Sequence, residues 1–213
     1  KDTQGVTFAK GFTAAGVKAG IKKSGNLDVA VIYTKTQAVV AGTFTQNKVA
    51  AAPVYVSKEV VATGTAHAIV ANAGCANACT GQQGLDDAHK MAQIAADELG
   101  VNADDVIVGS TGVIGVNLPM DKLEAGIKDA VANLSADGSG NAGRAIITTD
   151  THSKSVTCEF ELSGKTVRMG AIAKGSGMIR PNMATMLCYI TTDIAIDQAL
   201  LQKAVSGCVE KSF

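Results

Sequence analysis

Stretches typical of β-strands alternate irregularly with amphipathic helical segments along this chain. The apolar runs at 67–74 and 105–112 predict buried strands, whereas residues 85–100 carry apolar side chains at helical spacing. The segments 155–162 and 165–173 lie on either side of a Ser-Gly turn and predict two paired strands. Hairpins and strand–helix–strand crossovers in one chain favour an α/β (α+β) layered domain over a strict βαβ repeat.

The remaining segments complete this pattern. The further elements that the sequence predicts are a hairpin of strands at 28–35 and 37–45, a helix at 120–134, a loop at 135–143, a strand at 186–193 and a helix at 196–213. The chain has 213 residues, of which 46% are hydrophobic, so it can bury a sizeable core as one domain or as two small ones.

Charge and aromatic content narrow the class of partner. Lysine plus arginine and aspartate plus glutamate number 19 each, so no net charge attracts nucleic acid or an anionic membrane. Aromatic residues make up 4% of the chain and tryptophan is absent from it, which argues against a surface for stacking bases. We therefore expect no nucleic-acid and no membrane partner, and chemistry on small molecules.

The cysteines and the N-terminal residues bear on compartment and cofactors. Five cysteines are an odd number, and the pair Cys75 and Cys79 has no second pair to complete a zinc site. Free thiols of this kind are typical of a reducing compartment. The N-terminal residues contain no apolar signal segment, and no apolar run reaches the length of a membrane span. The expectation is a cytoplasmic protein without a metal site.

Three glycine-rich loops, at 72–84, 108–115 and 174–182, are places where chemistry could occur. None matches a phosphate-binding loop, because GxxxxGK[ST] is absent and GxGxxG does not occur between a strand and a helix. Glycines in such loops serve either tight turns and close packing or the exposure of backbone N–H groups that bind an oxyanion. Composition leaves both interpretations open.

Two runs of hydroxyl side chains lie near these loops. Ser110-Thr111-Gly112 ends a predicted strand, where a hydroxyl beside a glycine N–H would form a two-donor oxyanion hole. The run 148–151, Thr-Thr-Asp-Thr, would line a pocket for a polar substrate. Either run would equally serve as an ordinary turn or helix cap.

Thr185 lies between a small residue and the apolar run MLCYI. A β-branched residue there is an ordinary strand former. However, a threonine at the start of a chain becomes a nucleophile without histidine, because its own α-amine accepts the hydroxyl proton. That amine has a pKa of about 7.7–8.0, so part of it is neutral at physiological pH. This chemistry requires cleavage of the bond between Ala184 and Thr185.

Several sequence blocks in order carry a resemblance to a known family. They read NAGCANACTG, GSTGVIGVNLPMDKL, AIITTDTHSK and AKGSGMIRPNMATMLCYITTD. Over its whole length the chain resembles the ornithine acetyltransferase (glutamate N-acetyltransferase) family of arginine biosynthesis. The resemblance implies a layered sandwich of mixed sheets covered by helices, in the self-processing, N-terminal-nucleophile-like fold of DmpA and ornithine acetyltransferase.

The resemblance also implies a processed chain. Self-cleavage between Ala184 and Thr185 would divide it into residues 1–184, the α-chain, and residues 185–213, the beginning of a β-chain that appears here only in part. Family proteins are about twice as long as this sequence. Their two chains stay together and imply an α2β2 heterotetramer.

Residue roles follow from the same matches. The resemblance makes Thr185 the nucleophile and assigns the oxyanion hole to the Thr111 hydroxyl and the Gly112 N–H. Lys174 and Thr151, together with Thr185, would contact the substrate.

The implied reaction moves an acetyl group from N-acetylornithine to glutamate through an acetyl-threonine intermediate. No cofactor is implied, although acetyl-CoA would be an additional acetyl donor in a bifunctional enzyme. Two alternatives remain open on the sequence: an amide hydrolase or aminopeptidase of the same self-cleaving fold, and an inactive fragment that acts only as an assembly partner.

Overall fold

The computed structural model describes residues 4–175 and 186–212. Within them, seven strands form two sheets and five α-helices pack beside them. The strands are β1 Phe12–Val17, β2 Val29–Val39, β3 Thr65–Cys75, β4 Val106–Val113, β5 Lys154–Leu162, β6 Lys165–Lys174 and β7 Leu187–Thr192. The helices are α1 Ala52–Thr63, α2 Gly81–Leu99, α3 Met120–Ala132, α4 Ser139–Ile146 and α5 Gln198–Ser212.

The two sheets have different topologies. Sheet A has the order β1-β2-β3-β4, with antiparallel pairs except for the parallel pair β3 and β4. Sheet B has the order β5-β6-β7 and is antiparallel throughout. The parallel pair needs a crossover, and α2 supplies it. The predicted α/β layered class, with a mixed sheet covered by helices, is confirmed.

Sheet A has a buried core on each face. On one face, α1, α2 and α3 cover the sheet with apolar side chains such as Val56, Met91 and Ile127. On the other face, α4 and sheet B bury Ile146 and Ile172 against sheet A. The order of layers is therefore helices, sheet A, then α4 with sheet B.

Helix α2 follows the predicted apolar stripe. Ala88, Met91, Ala92 and Ala95 are all buried. The helix ends at Gly100, whose φ of 68° is the left-handed conformation that commonly closes a helix. No helix within the described residues is long and apolar enough to cross a membrane.

The predicted hairpin of strands 28–35 and 37–45 is wrong. Strand β2 runs without reversal from Val29 to Val39, and residues 40–51 contain neither helix nor strand. The register between β2 and β3 shifts between Tyr33 and Ala38, which is the signature of a bulge rather than a turn. No glycine, asparagine or proline lies at this point to reverse the chain.

The predicted loop at 135–143 is wrong in its second half. Helix α4 begins at Ser139, because its small residues fit closely against β1. The carbonyl group of Asn141 occupies the space that a side chain at Gly16 would need. The sequence pattern does not predict helix α1, although Pro53 at its start is a common helix-opening residue.

Candidate active site

The two sheets are joined by a buried hydrogen bond between Lys174 and Thr111. Lys174 Nζ, at the end of β6, donates to Thr111 Oγ1, near the end of β4, over 2.9 Å. Lys174 is 2% exposed and Thr111 is 9% exposed. Two of the predicted site residues, which are far apart in the sequence, therefore meet in the layer between the sheets.

Strand alternation places both side chains in this layer. Lys174 lies on the same face of β6 as Ile172, which is buried between the sheets. Thr111 lies on the same face of β4 as Gly109. A side chain at Gly109 would collide with the hydroxyl of Tyr189 from β7, so sheet B approaches β4 closely beside the site.

Gly112 has a conformation and surroundings that exclude other residues. Its φ is +136°, and a Cβ there would lie 2.7 Å from the backbone N of Cys75 and close to the backbone of Gly74. The chain at the end of β4 therefore stays in close contact with β3, directly after Thr111. The role of its N–H as an oxyanion donor remains a prediction.

Asp150 links the polar run at 148–151 to the end of β6. Its Oδ1 atom accepts hydrogen bonds from Lys154 Nζ and from the backbone N–H of Gly175, the latter over 2.8 Å. Its side chain is buried, and Oδ2 has no hydrogen-bond partner among the described residues. Thr151, the predicted substrate contact, is exposed beside it.

Burial and nearby charges shift the pKa values of this group. Burial lowers the pKa of Lys174, Asp150 opposes this by raising it, and the charge of Lys154 lowers it further. For Asp150, burial acts to raise the pKa. The hydrogen bonds from Lys154 and Gly175, with the charges of Lys154 and Lys174, outweigh burial and bring that pKa below its usual range. The site thus combines a desolvated amine, a hydroxyl and a carboxylate.

A second buried carboxylate organises the loop beside Gly74. Asp28 accepts hydrogen bonds from the backbone N–H groups of Ala19, Ile21 and Lys22 at 2.6, 2.6 and 2.9 Å. A Cβ at Gly74 would meet Ile21, so this loop lies against β3 next to Gly112. Sequence reasoning treated Asp28 only as the start of a strand, although a charged residue directly before an apolar run is a usable signal.

Lys22 also lies near the site. Its ammonium donates to the carbonyl oxygens of Leu27 and Ala145, at 2.6 and 3.1 Å. Burial lowers its pKa, Asp28 raises it, and the charge of Lys174 lowers it. Two amines with lowered pKa values therefore lie within electrostatic range of each other.

Ala184 and Thr185, the predicted cleavage pair, lie outside the described residues. Within residues 4–175 and 186–212, no three histidine, cysteine or acidic side chains are grouped to bind a metal ion. All five cysteines are free thiols, and Cys75 is buried with its Sγ donating to the carbonyl oxygen of Val116.

The fold defines a class of protein before any closer relationship is considered. The chain resembles the L-aminopeptidase D-Ala-esterase/amidase of Ochrobactrum anthropi, a variant of the Ntn hydrolase fold, with a TM-score of 0.55. That likeness covers 94% of this chain and 66% of the other at 13% sequence identity, so it shows a shared fold and nothing more. The class is therefore the layered, N-terminal-nucleophile-like fold.

Within this class, the chain belongs to the ArgJ family, whose model matches residues 13–213. The arginine biosynthesis bifunctional protein ArgJ of Symbiobacterium thermophilum is 50% identical over 211 residues, which are 98% of this chain and 52% of that protein. The chain thus spans about half the length of the curated relatives it matches.

Two solved structures are similar at the level of both sequence and fold. The ArgJ structure from Bacillus halodurans has a TM-score of 0.78 and 42% identity, over 86% of this chain and 94% of that chain. Ornithine acetyltransferase from Mycobacterium tuberculosis, solved in complex with ornithine, has a TM-score of 0.76 and 40% identity, over 84% of this chain and 95% of that chain.

Proposed function

We propose that the protein containing this chain transfers the acetyl group of N-acetylornithine to glutamate, as a step of arginine biosynthesis. The observation that carries this proposal is the buried hydrogen bond from Lys174 to Thr111. Thr111 is followed directly by Gly112, a position that tolerates no side chain. Family membership and the ornithine bound to the Mycobacterium tuberculosis relative support the choice of substrate.

The proposed nucleophile is Thr185, freed by cleavage after Ala184. Its hydroxyl oxygen attacks the acetyl carbonyl while its α-amine accepts the hydroxyl proton. The amide C–N bond breaks, ornithine leaves with that proton on its amine, and the acetyl group remains as an ester. The neutral amine of glutamate then attacks the ester and gives one proton to the α-amine of Thr185. The bond to the threonine oxygen breaks, that proton passes to the oxygen, and N-acetylglutamate departs.

Thr111 and Gly112 are the proposed oxyanion donors. An ammonium group has hydrogen-bond donors only, so Lys174 donates to the Thr111 oxygen and leaves the Thr111 hydrogen available for the developing oxyanion. Loss of one such donor typically raises the barrier by about 3–4 kcal/mol. Lys174 and Thr151 are also the proposed contacts for substrate.

The proposed assembly is an α2β2 heterotetramer of two chains, 1–184 and the part that begins at residue 185. The outer face of sheet B supports this proposal, because Val156 on β5 is 61% exposed and Ile190 on β7 is 54% exposed, on the two strands that flank β6. We propose that this face is covered by the part of the protein that corresponds to the other half of its relatives, since the relatives are about twice as long as this chain.

Two further properties belong to the proposal. The relatives are named bifunctional, which supports acetyl-CoA as a second acetyl donor, with no other cofactor needed. The five free thiols support a reducing compartment, and we place the enzyme in the cytoplasm.

The test is the intact mass of the whole protein, expressed from its complete gene. We expect two species, one ending at Ala184 and one beginning at Thr185. Addition of N-acetylornithine should raise the mass of the second species by one acetyl group. Thr185→Ser should retain slow cleavage and Thr185→Ala should abolish it, because only the serine keeps a hydroxyl.

Product identification separates the proposed transferase from the hydrolase alternative. The transferase converts glutamate into N-acetylglutamate, whereas a hydrolase releases acetate at a rate that glutamate does not change. A single uncut mass, with Thr185→Ala as active as the unaltered protein, would contradict the proposed nucleophile.

A further inference from the structure

Among the described residues, the buried amine of Lys174 has no direct counterion. It is 2% exposed, and its one hydrogen bond within the described residues goes to the neutral Thr111 hydroxyl. The ion pairs of the described residues join other side chains: Lys128 with Glu124, Lys154 with Asp150, and Arg168 with Glu159. A buried ammonium group without compensation tends to lose its proton, so a charged Lys174 needs a compensating group nearby.

Asp150 is positioned to supply this compensation. Its carboxylate interacts electrostatically with Lys174, and its Oδ1 atom also accepts the N–H of Gly175, the residue that follows Lys174. The Oδ2 atom is buried without a partner among the described residues, while two of the three hydrogens on Lys174 Nζ have no partner there. The unused acceptor and the unused donors are chemically complementary.

We propose that Asp150 is a positioning residue, which keeps the Lys174 amine charged and thereby keeps the Thr111 hydroxyl directed at the oxyanion. This inference rests on the proposed function, because it concerns the oxyanion hole of that reaction. Asp150 acts through Lys174 and needs no contact with the reacting atoms.

The physical reason lies in what each form of the amine can accept. A protonated Lys174 only donates, so Thr111 must accept from it and has its own hydrogen free. A neutral Lys174 carries a lone pair, and the Thr111 hydroxyl would then donate to that amine. Loss of the lysine charge therefore removes an oxyanion donor without removing any atom from the site.

In the part of the chain that the structure describes, the charged groups that interact with Lys174 are Asp150, Lys154 and Lys22. The negative charge of Asp150 raises the Lys174 pKa, whereas the positive charge of Lys154 lowers it. The charge of Lys174 in turn lowers the pKa of Lys22. Removal of the Asp150 charge must then move the loss of activity on the alkaline side to lower pH. Removal of the Lys154 charge must move it to higher pH.

The experiment measures acetyl transfer from N-acetylornithine to glutamate by the whole processed protein across pH. Asp150→Asn retains an acceptor oxygen for the Gly175 N–H, removes the charge and replaces the second oxygen with an NH2 donor. We expect its alkaline limb to shift to lower pH by about one unit. We also expect kcat and kcat/KM to fall together by about tenfold or more, because an oxyanion donor acts in the transition state.

Lys154→Met should shift the alkaline limb in the opposite direction, to higher pH, because it removes a positive charge near Lys174. Asp137→Asn is the matched control, since Asp137 is exposed in a loop outside the site, and it should leave the profile unchanged. A general loss of structure cannot produce shifts of opposite sign in two variants that both lose the Lys154–Asp150 ion pair.

The outcomes separate this inference from the proposed function. If the unaltered protein transfers no acetyl group, the proposed function fails and the inference fails with it. If it transfers acetyl while Asp150→Asn keeps its rate and pH profile, only the inference is overturned. If Asp150→Asn does not fold, Lys154→Met decides alone, and an unshifted or downward-shifted limb overturns the inference.

Discussion

Sheets A and B differ in how their faces are covered. Sheet A has a buried core on each side, and Val31 and Val70 in its central strands are completely buried. Sheet B packs its inner face on sheet A and α4, while its outer face carries exposed apolar side chains within the described residues, Val156 and Ile190 among them. The described part of the chain therefore covers both faces of sheet A but only the inner face of sheet B.

Strand β5 shows what this difference means. Its sequence alternates between polar and apolar residues, and in most antiparallel sheets the apolar face would lie in the core. Here Ser155 is paired with Ile172, which faces the inner core, and the apolar Val156 and Phe160 lie on the outer face. An apolar outer face of this kind is typical of an interface, which agrees with a chain that spans half the length of its relatives.

The largest expected effect concerns the inner face of sheet B. Ile172→Ala should destabilise the whole protein by about 2–5 kcal/mol, because it leaves a cavity in the core between the sheets. Denaturant unfolding measures this loss. Leu200→Ala, on an exposed position of α5, is the control and should change stability by less than about 0.5 kcal/mol. Equal losses in both variants would contradict the described packing.

A smaller effect is expected on the outer face. Val156→Asp places a charge where we propose that the rest of the protein packs, so it should weaken association of the two chains by about tenfold or more. Val49→Asp is the matched control, since Val49 is a 63% exposed valine in a loop away from the sheet. Co-purification of the two chains measures the difference. If both variants assemble equally well, the outer face is no interface.

Most helices and strands could be predicted from the periodicity of apolar residues. Which segment packs against each face of a sheet could not be predicted in this way. The stripe of α2 pointed to its buried residues correctly, because a helix presents one apolar side to one core. The alternation of polar and apolar residues in β5 identifies the two faces of the strand, but it does not indicate which face packs against sheet A. The bulge in β2 was mistaken for a turn, since a local irregularity in register has no signal of its own in composition.

The site was predictable to a different extent. Thr111 and Lys174 were named through the family resemblance, and their meeting depends on the packing of two sheets, which local patterns do not contain. Asp150 belonged to a polar run that had two ordinary explanations. Its importance depends on a buried oxygen without a partner and on its hydrogen bond to Gly175, and both become visible only in three dimensions.

The smallest expected effect is a difference in the chemical reactivity of two cysteines, one in each sheet, which can be measured without a mutation. Cys75 in β3 is buried, its Sγ donates to a backbone carbonyl, and burial raises its pKa. Cys158 lies on the outer face of β5 and is exposed in this chain, as is Cys79 in a loop. In the native whole protein, iodoacetamide should modify Cys79 readily and spare Cys75 and Cys158.

Cys75 and Cys158 should be protected for different reasons, and a second measurement distinguishes the two reasons. Cys75 is shielded by the core of sheet A, so only global unfolding should expose it. Cys158 would be shielded by the second chain alone, so a dose of denaturant that separates the chains should expose it first. Peptide mass spectrometry follows both modifications. Rapid modification of Cys158 in the native protein would show that the outer face of sheet B stays open to solvent, so the two sheets would differ in the whole protein as they do in this chain.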